Sequence, residues 1–237
     1  LLYAEKLAIK YSDYLVADSI GIQDYLQKKY RMPSRFIAYG SDIFISPEEV
    51  VLKKYNLEKY NYNLLIARME PENNIETILD AACLSINKKC FFVVGNTDSR
   101  YGKYLRNKYI AVSHIRFADG IYNMADLNNL RYFSNIYFHG HSVGGTNPSL
   151  LEAMAAGALI CAHDNIFNRS ILGDDGYYFT NEKDIVQLLA SIHKDDESRK
   201  LKNNVEKIRE HYSWETITEQ YLQYFRQILD ERRIIIS

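Results

Sequence analysis

Between residues 14 and 180, short apolar stretches alternate with stretches whose apolar residues recur at helical spacing. No other feature constrains the fold as much. "YLVADS" (14–19), "RFIAYGSD" (35–42), "YNLLIA" (62–67), "CFFVVG" (90–95), "HIRFAD" (114–119), "NIYFHG" (135–140), "ALICA" (158–162) and "GYYFT" (176–180) read as strands. Between them helices are expected at 20–30, around 100–109, at 124–133 and at 147–156. A further helix carries Ile75, Ile78, Leu79, Ala82 and Ile86 at i, i+3, i+4, i+7 spacing. A short helix precedes the first strand, and helices at 182–193, 195–211 and 213–230 end the chain. Strand–helix alternation of this kind predicts parallel βαβ units in an α/β, Rossmann-like, doubly wound sheet. Such sheets bind ligands beyond the C-terminal ends of their strands, so the residues at those ends are the candidates.

Bulk properties exclude several function classes. With 237 residues, 47% hydrophobic and 25% charged, the chain can bury a real core as one large domain or two smaller ones. A net charge of −1 with both signs interspersed lacks the basic footprint of a nucleic-acid binder. No apolar run approaches the roughly 18 residues that span a bilayer, and the "RRIIIS" tail is far too short. Cys83, Cys90 and Cys161 are odd in number and lack CxxC spacing, which points to reduced core thiols in a cytoplasmic protein rather than disulfides or zinc. The chain begins "LLYAEK", without an initiator Met or a signal peptide, and reads as a fragment of a longer protein.

After "YNLLIA", Arg68 stands where its fork of donors could meet a diphosphate. Pairing with Glu70 or Glu72 is the other reading. Asn73 followed by Glu76 fits a capping box for the next helix. After "CFFVVG", Gly95 is a turn residue, and neither GxGxxG nor a Walker loop follows any strand, which disfavours a dinucleotide-dependent oxidoreductase. Asp119-Gly120 is either a plain turn or a place where backbone around Ile121 meets a flat base.

The segment "HGHSVGGTNPSLLEAMAAG" (139–157) holds the densest set of special residues. Asn147 as N-cap with Pro148 at the first helical position starts a helix. Gly144 and Gly145 would let a ligand approach bare backbone, with the amides of the first turn free to bind phosphate. Leu150, Leu151 and Met154 share the packing side of that helix, and Glu152 lies opposite, open to hydroxyls or to solvent. His141 could touch phosphate or sugar; His139 is equally a satisfied core histidine. No metal-ligand constellation and no Asp-x-Asp occurs.

Taken together these residues resemble the C-terminal half of the family 4 retaining glycosyltransferases, which have the two-domain GT-B fold. "NPSLLEAMAAG" is similar to that family's Leu-Glu-Ala-Met-Ala-x-Gly segment through Leu151, Glu152, Ala153, Met154, Ala155 and Gly157. "IARMEPENN" resembles its Gly-Arg-Leu segment, "YGSD" (39–42) its hinge, and "YSWETITEQYLQYF" its last helix. The resemblance covers essentially the whole chain. It implies that residues 1–42 end an acceptor-side domain, 43–212 bind a nucleotide-sugar, and 213–237 cross back towards the acceptor side. Arg68, Asn73, His141, Gly144, Gly145, Thr146, Asn147, Leu150, Leu151 and Glu152 would then hold the donor's diphosphate, ribose and sugar. Gly95, Gly120 and Ile121 would border the base. No metal or cofactor is implied, and the main catalytic group would lie upstream.

Two departures stand out. The family glutamate eight residues before Glu152 is Gly144 here, and the lysine five residues after the arginine is Asn73. "HSVGGTNPSLLEAM" and "RMEPENNIE" look like the corresponding segments of bacterial rhamnosyltransferases that build capsules and other surface polysaccharides, where these replacements are the norm. The resemblance therefore implies a dTDP- or UDP-linked donor, rhamnose as the best guess, and a saccharide or lipid-linked acceptor. It also implies a cytoplasmic enzyme, peripheral at the inner membrane face, with this fragment inactive alone. A non-catalytic nucleotide- or sugar-binding module is the alternative.

Overall fold

The computed structural model describes residues 2–236, with side chains described for 3–231. Leu1 and the side chains of the "RRIIIS" tail lie outside the described residues. The elements are α1 (Leu2–Tyr11), β1 (Val16–Ala17), α2 (Ile20–Tyr30), β2 (Arg35–Phe36), β3 (Tyr62–Ile66), α3 (Ile75–Leu84), β4 (Cys90–Val94), α4 (Arg100–Lys108), β5 (Ile115–Ala118), α5 (Met124–Phe133), β6 (Tyr137–His139), α6 (Pro148–Ala155), β7 (Ile160–His163), α7 (Ile166–Leu172), β8 (Tyr177–Phe179), α8 (Glu182–Ser191), α9 (Ser198–Lys207) and α10 (Trp214–Ile236).

Among the described residues, β3 to β8 form one sheet in the order β5-β4-β3-β6-β7-β8, and every neighbouring pair is parallel. The chain winds outwards from β3 through β4 and β5, then returns to the other side of β3 with β6. That reversal puts the topological switch point between β3 and β6. The α/β doubly wound fold expected from the sequence is the fold observed.

The strands are largely apolar because both faces of the sheet are covered. Alternate residues feed two cores. Tyr62, Leu64, Phe92, Val94 and Tyr137 face the core that α5 and α6 complete through Leu130, Leu150 and Met154. Leu65, Phe91, Val93 and Phe138 face the core closed by α3 and α8 through Ile78, Leu79, Ile185 and Leu189. The end of α6 explains the glycine of "AMAAG". Gly157 has φ +59°, its amide bonds the Met154 carbonyl, and Ala158 N bonds the Ala153 carbonyl. This is a Schellman stop, with glycine in the left-handed position.

The structure corrects several sequence expectations. Strands β1 and β2 shrink to two residues each and, among the described residues, pair only with one another. Helix α3 stops at Leu84, so Ile86 lies beyond it, fully exposed. The Asn73–Glu76 capping box is absent. Asn73 sits in a short 3-10 turn (71–73), and the N-cap position falls to Asn74, whose side chain makes no cap bond. The expected 195–211 helix is α9 flanked by 3-10 (194–196) and π (208–212) turns. A 3-10 segment (49–55) and α7 come from stretches with no clear sequence signal. The cysteines are unpaired, but only Cys161 is buried.

Residues 1–42 pack on the rest through close approaches that depend on glycine. A Cβ on Gly40 would fall 2.6 Å from the Trp214 ring, and one on Gly21 would fall 2.4 Å from Phe167. Ile37 and Ala38 share a small core with Ile217 of α10. Among the described residues no helix is long and apolar enough to cross a membrane.

Lys194 is a buried cation. Its Nζ donates to the Tyr132 carbonyl at the end of α5 and lies over the Tyr132 ring, but burial still pushes it down to about 7. A lysine whose folded-state pKa is depressed costs stability at low pH. That cost falls as pH rises from the folded value towards the unfolded one. Between pH 6.5 and 9 the wild-type chain should therefore gain about 2 kcal/mol relative to Lys194→Met. Urea titrations of both proteins at the two pH values measure this, and parallel pH dependences would refute it.

Candidate functional site

The loops that leave β3 and β6 are tied together at the switch point. Ser142 donates to the Glu72 carbonyl through both its amide (3.0 Å) and its hydroxyl (2.8 Å). Asn74, left-handed at φ 49°, donates from Nδ2 to the Gly140 carbonyl at 2.8 Å. A Cβ on Gly140 would fall 1.9 Å from the Asn73 carbonyl oxygen, so only glycine lets the two backbones cross. Buried Asn73 donates to the Arg68 carbonyl at 2.7 Å, and so holds the arginine's own loop.

Beside this crossing a cavity of about 520 Å³ opens over the C-terminal ends of β3 and β4. Arg68, Gly95, Gly120, Ile121 and His141 all line it. The structure thus brings together five candidates spread over seventy-odd positions of sequence. It adds Glu70, Asn96, Ser99, Tyr122 and Ser149. Gly95 is more than a turn residue: a Cβ there would fall 2.1 Å from the Ala67 carbonyl oxygen. Tyr122 is 89% exposed beside Gly120 and offers a flat face that the sequence reading missed.

Of the two readings of Arg68, the pairing with Glu70 is the one observed. Its guanidinium is 81% exposed and sits 3.4 Å from Glu70. An ion pair this exposed is worth about 0–1 kcal/mol, so an arriving anion exchanges with it at little cost. His141 is half-buried, and its Nδ1 has no hydrogen-bond partner. Burial, then the Arg68 charge, push its imidazole down to about 4, against a smaller opposing pull from Glu72. Its ring stacks on His139 at 4.4 Å. His139 is the core member of the pair, 1% exposed, with neither ring nitrogen bonded. Burial, then His141 and Arg131, hold it well below the ordinary histidine range.

The start of α6 differs from expectation. Asn147 caps it through Ser149 N, and Pro148 has no N–H to offer. The amides of Leu150 and Leu151 bond the Asn147 carbonyl, and both side chains are fully buried. Leu150 and Leu151 are therefore core residues, without a free donor for phosphate. Thr146 is likewise buried, its hydroxyl donating to the Asp18 carbonyl at 2.5 Å. Gly144 has φ +117° with nothing within 4 Å of an added Cβ, so its backbone angle requires glycine, not crowding. Gly145 is crowded instead, by the Asp18 carboxylate.

Glu152 has a partner that the sequence did not reveal. Arg131 of α5, 1% exposed, donates from Nη2 to Glu152 Oε2 at 2.5 Å, and its Nη1 donates to Asn128 at 3.0 Å. Ser149 lies 3.4 Å from the same Nη2 and 2.8 Å from the Tyr137 hydroxyl. The carboxylate is therefore pinned, with its side chain still 28% exposed. Nothing in "NNLRYFSN" distinguishes Arg131 from a surface arginine. Among the described residues no group of three or more His, Cys, Asp or Glu is placed to hold a metal ion.

Comparison with known proteins agrees with this architecture. Residues 48–208 match the family described as glycosyl transferases group 1, and residues 1–42 match a domain of unknown function, DUF1972. No curated protein matches the chain. Sucrose-phosphate synthase from Thermosynechococcus elongatus superposes with a TM-score of 0.82 at 19% identity, over 97% of this chain and 62% of that one. Anabaena HepE in complex with UDP and glucose gives 0.81 at 14% identity, over 95% and 66%. A glycosyltransferase from Rickettsia africae gives 0.78 at 14%, over 91% and 63%. The chain thus spans less than two thirds of each of these solved chains.

Removing Glu152 strands the buried Arg131 charge, so Glu152→Ala should cost about 3 kcal/mol or more. Replacing both partners with apolar residues, Arg131→Met with Glu152→Leu, should recover most of that loss. Urea unfolding of the two variants decides it, and equal losses would show that the pair does not govern stability.

Proposed function

The chain belongs to the glycosyl transferases group 1 family, and on that premise we propose that it is the donor-binding part of a glycosyltransferase using a nucleoside-diphosphate sugar. The observation that carries the reading is the cavity at the switch point, where Arg68 and His141 converge from β3 and β6. The family match over 48–208 and a fold neighbour solved with UDP and glucose support it.

In this reading Arg68 leaves Glu70 for the diphosphate and neutralises the charge that develops as the sugar departs. His141, neutral in the free protein, supplies a hydrogen bond from its unpartnered ring nitrogen. The backbone at Gly95, Gly120 and Ile121 borders the base, with Tyr122 as a stacking face. Glu152, oriented by Arg131, accepts from ribose hydroxyls. Asn73 serves by holding the Arg68 loop and Asn147 by capping α6, while Gly144 and Gly145 shape the loop between them. No metal is required, because Arg68 supplies the cation.

The donor we favour is dTDP- or UDP-linked, with rhamnose as the sugar and retention of configuration through phosphate-assisted departure. The resemblance of "HSVGGTNPSLLEAM" and "RMEPENNIE" to rhamnosyltransferase segments supports that choice. The acceptor would be a surface-polysaccharide precursor, saccharide or lipid-linked, reached at the inner face of the membrane with sequence outside this chain.

Calorimetric titration with UDP, dTDP, GDP and NAD tests the reading. UDP or dTDP should bind in the range of about 1 µM to 1 mM, and Arg68→Ala should weaken that binding at least tenfold. Preference for NAD would overturn it in favour of a dinucleotide-dependent oxidoreductase, and no nucleotide binding would overturn it in favour of a non-catalytic module.

A further inference from the structure

Lys194 lies at the opposite end of the sheet from the switch-point cavity. It follows α8, and its Nζ stands over two rings, Tyr60 just before β3 and Tyr132 near the end of α5. The ring centroids are 5.6 Å and 5.0 Å away. Its backbone amide donates to Asn135 Oδ1 at 3.4 Å and its Nζ donates to the Tyr132 carbonyl, so the residue is held at both ends. Among the described residues that carbonyl is the one hydrogen-bond acceptor Nζ has, although an ammonium group brings three donors.

The residue is buried, yet it borders a cavity. A space of about 390 Å³ reaches Lys194 between Tyr60, Tyr132, Leu201 and Val205. Lys202, Glu206 and Arg209 supply the other charges of its lining, and Arg209 pairs with the Glu206 carboxylate. Lys59 stands over the Tyr60 ring at 4.8 Å. Cations therefore predominate along the lining. Burial pushes the Lys194 amine down to about 7, against the pull of Asp195 and with Lys59 adding to the push. Near pH 7.4 most of this amine is neutral, whereas an ordinary lysine is neutral in about one molecule in a thousand. Only the neutral amine carries the lone pair that attacks a carbonyl.

We propose that Lys194 is a covalent acylation site whose acyl donor is a small anionic acyl phosphate. The Nζ lone pair attacks the acyl carbon and forms the C–N bond. The C–O bond to phosphate breaks, and phosphate leaves with the electron pair and takes up the proton that nitrogen loses. The amide product keeps one N–H, which matches the single acceptor at Tyr132. It also loses the charge that burial penalises. The acyl chain lies against Leu201 and Val205, while Lys202 and Arg209 draw the anionic donor to the opening. None of these residues lines the nucleotide cavity, so the site stands independently of the donor-site reading.

The test treats the wild-type chain with acetyl phosphate between about pH 6 and 9 and follows each lysine by peptide mass spectrometry. Lys28 of α2, 81% exposed, is the comparator. Near pH 7.4 Lys194 should acetylate about tenfold faster than Lys28, and its rate should level off by about pH 8 while that of Lys28 keeps rising. A Lys194 rate no higher than that of Lys28, or two rates that climb in parallel, would overturn the proposal. An uncharged acetyl thioester is run alongside. With it the ratio of Lys194 to Lys28 acetylation should fall about threefold or more, because the cations no longer gather the reagent. An unchanged ratio would overturn the assignment of an acyl phosphate as the donor.

Discussion

The site depends on two loops that cross with almost no space between them. Gly140 lies against the Asn73 carbonyl, Asn74 bonds the Gly140 carbonyl, and Ser142 bonds Glu72 twice. Each contact is ordinary, net worth about 1 kcal/mol. Their joint effect is geometric. They fix the end of β3 relative to the end of β6, so that Arg68 and His141 reach one cavity from opposite sides of the switch point. A doubly wound sheet opens a crevice there in any case; these residues set its width.

The fold was largely legible because parallel strands covered on both faces leave mostly apolar runs. "YNLLIA" and "CFFVVG" are such runs, and periodicity located the helices between them. The misreadings had local causes. β1 and β2 are apolar enough to read as long strands, yet they find only each other to pair with. Asn73 has the composition of a cap, but its amide is drawn to the Arg68 carbonyl, and the cap position passes to Asn74.

The site was legible where a residue's position on a strand end sufficed, as for Arg68, Gly95, Gly120, Ile121 and His141. It was illegible where partners lie far apart in sequence. Arg131 and Glu152 are 21 positions apart and Asp18 and Thr146 are 128 apart. Neither arginine nor aspartate advertises burial on its own. The wheel that set Glu152 opposite Leu150 and Leu151 was right about direction and blind to what α5 places there. Thr146, Leu150 and Leu151 were drawn into the candidate list by their neighbours, whereas their side chains belong to the loop anchor and the core.

Gly144 carries an implication for how such a loop changes over generations. Its φ of +117° lies where residues bearing a Cβ are strained, although the space around it is open. A glutamate introduced by a single codon change would meet no steric obstacle and still find the backbone unsuited to it. Any residue other than glycine would first need the chain to take a different path between His141 and Asn147. The position is therefore expected to stay glycine for as long as the loop keeps this path.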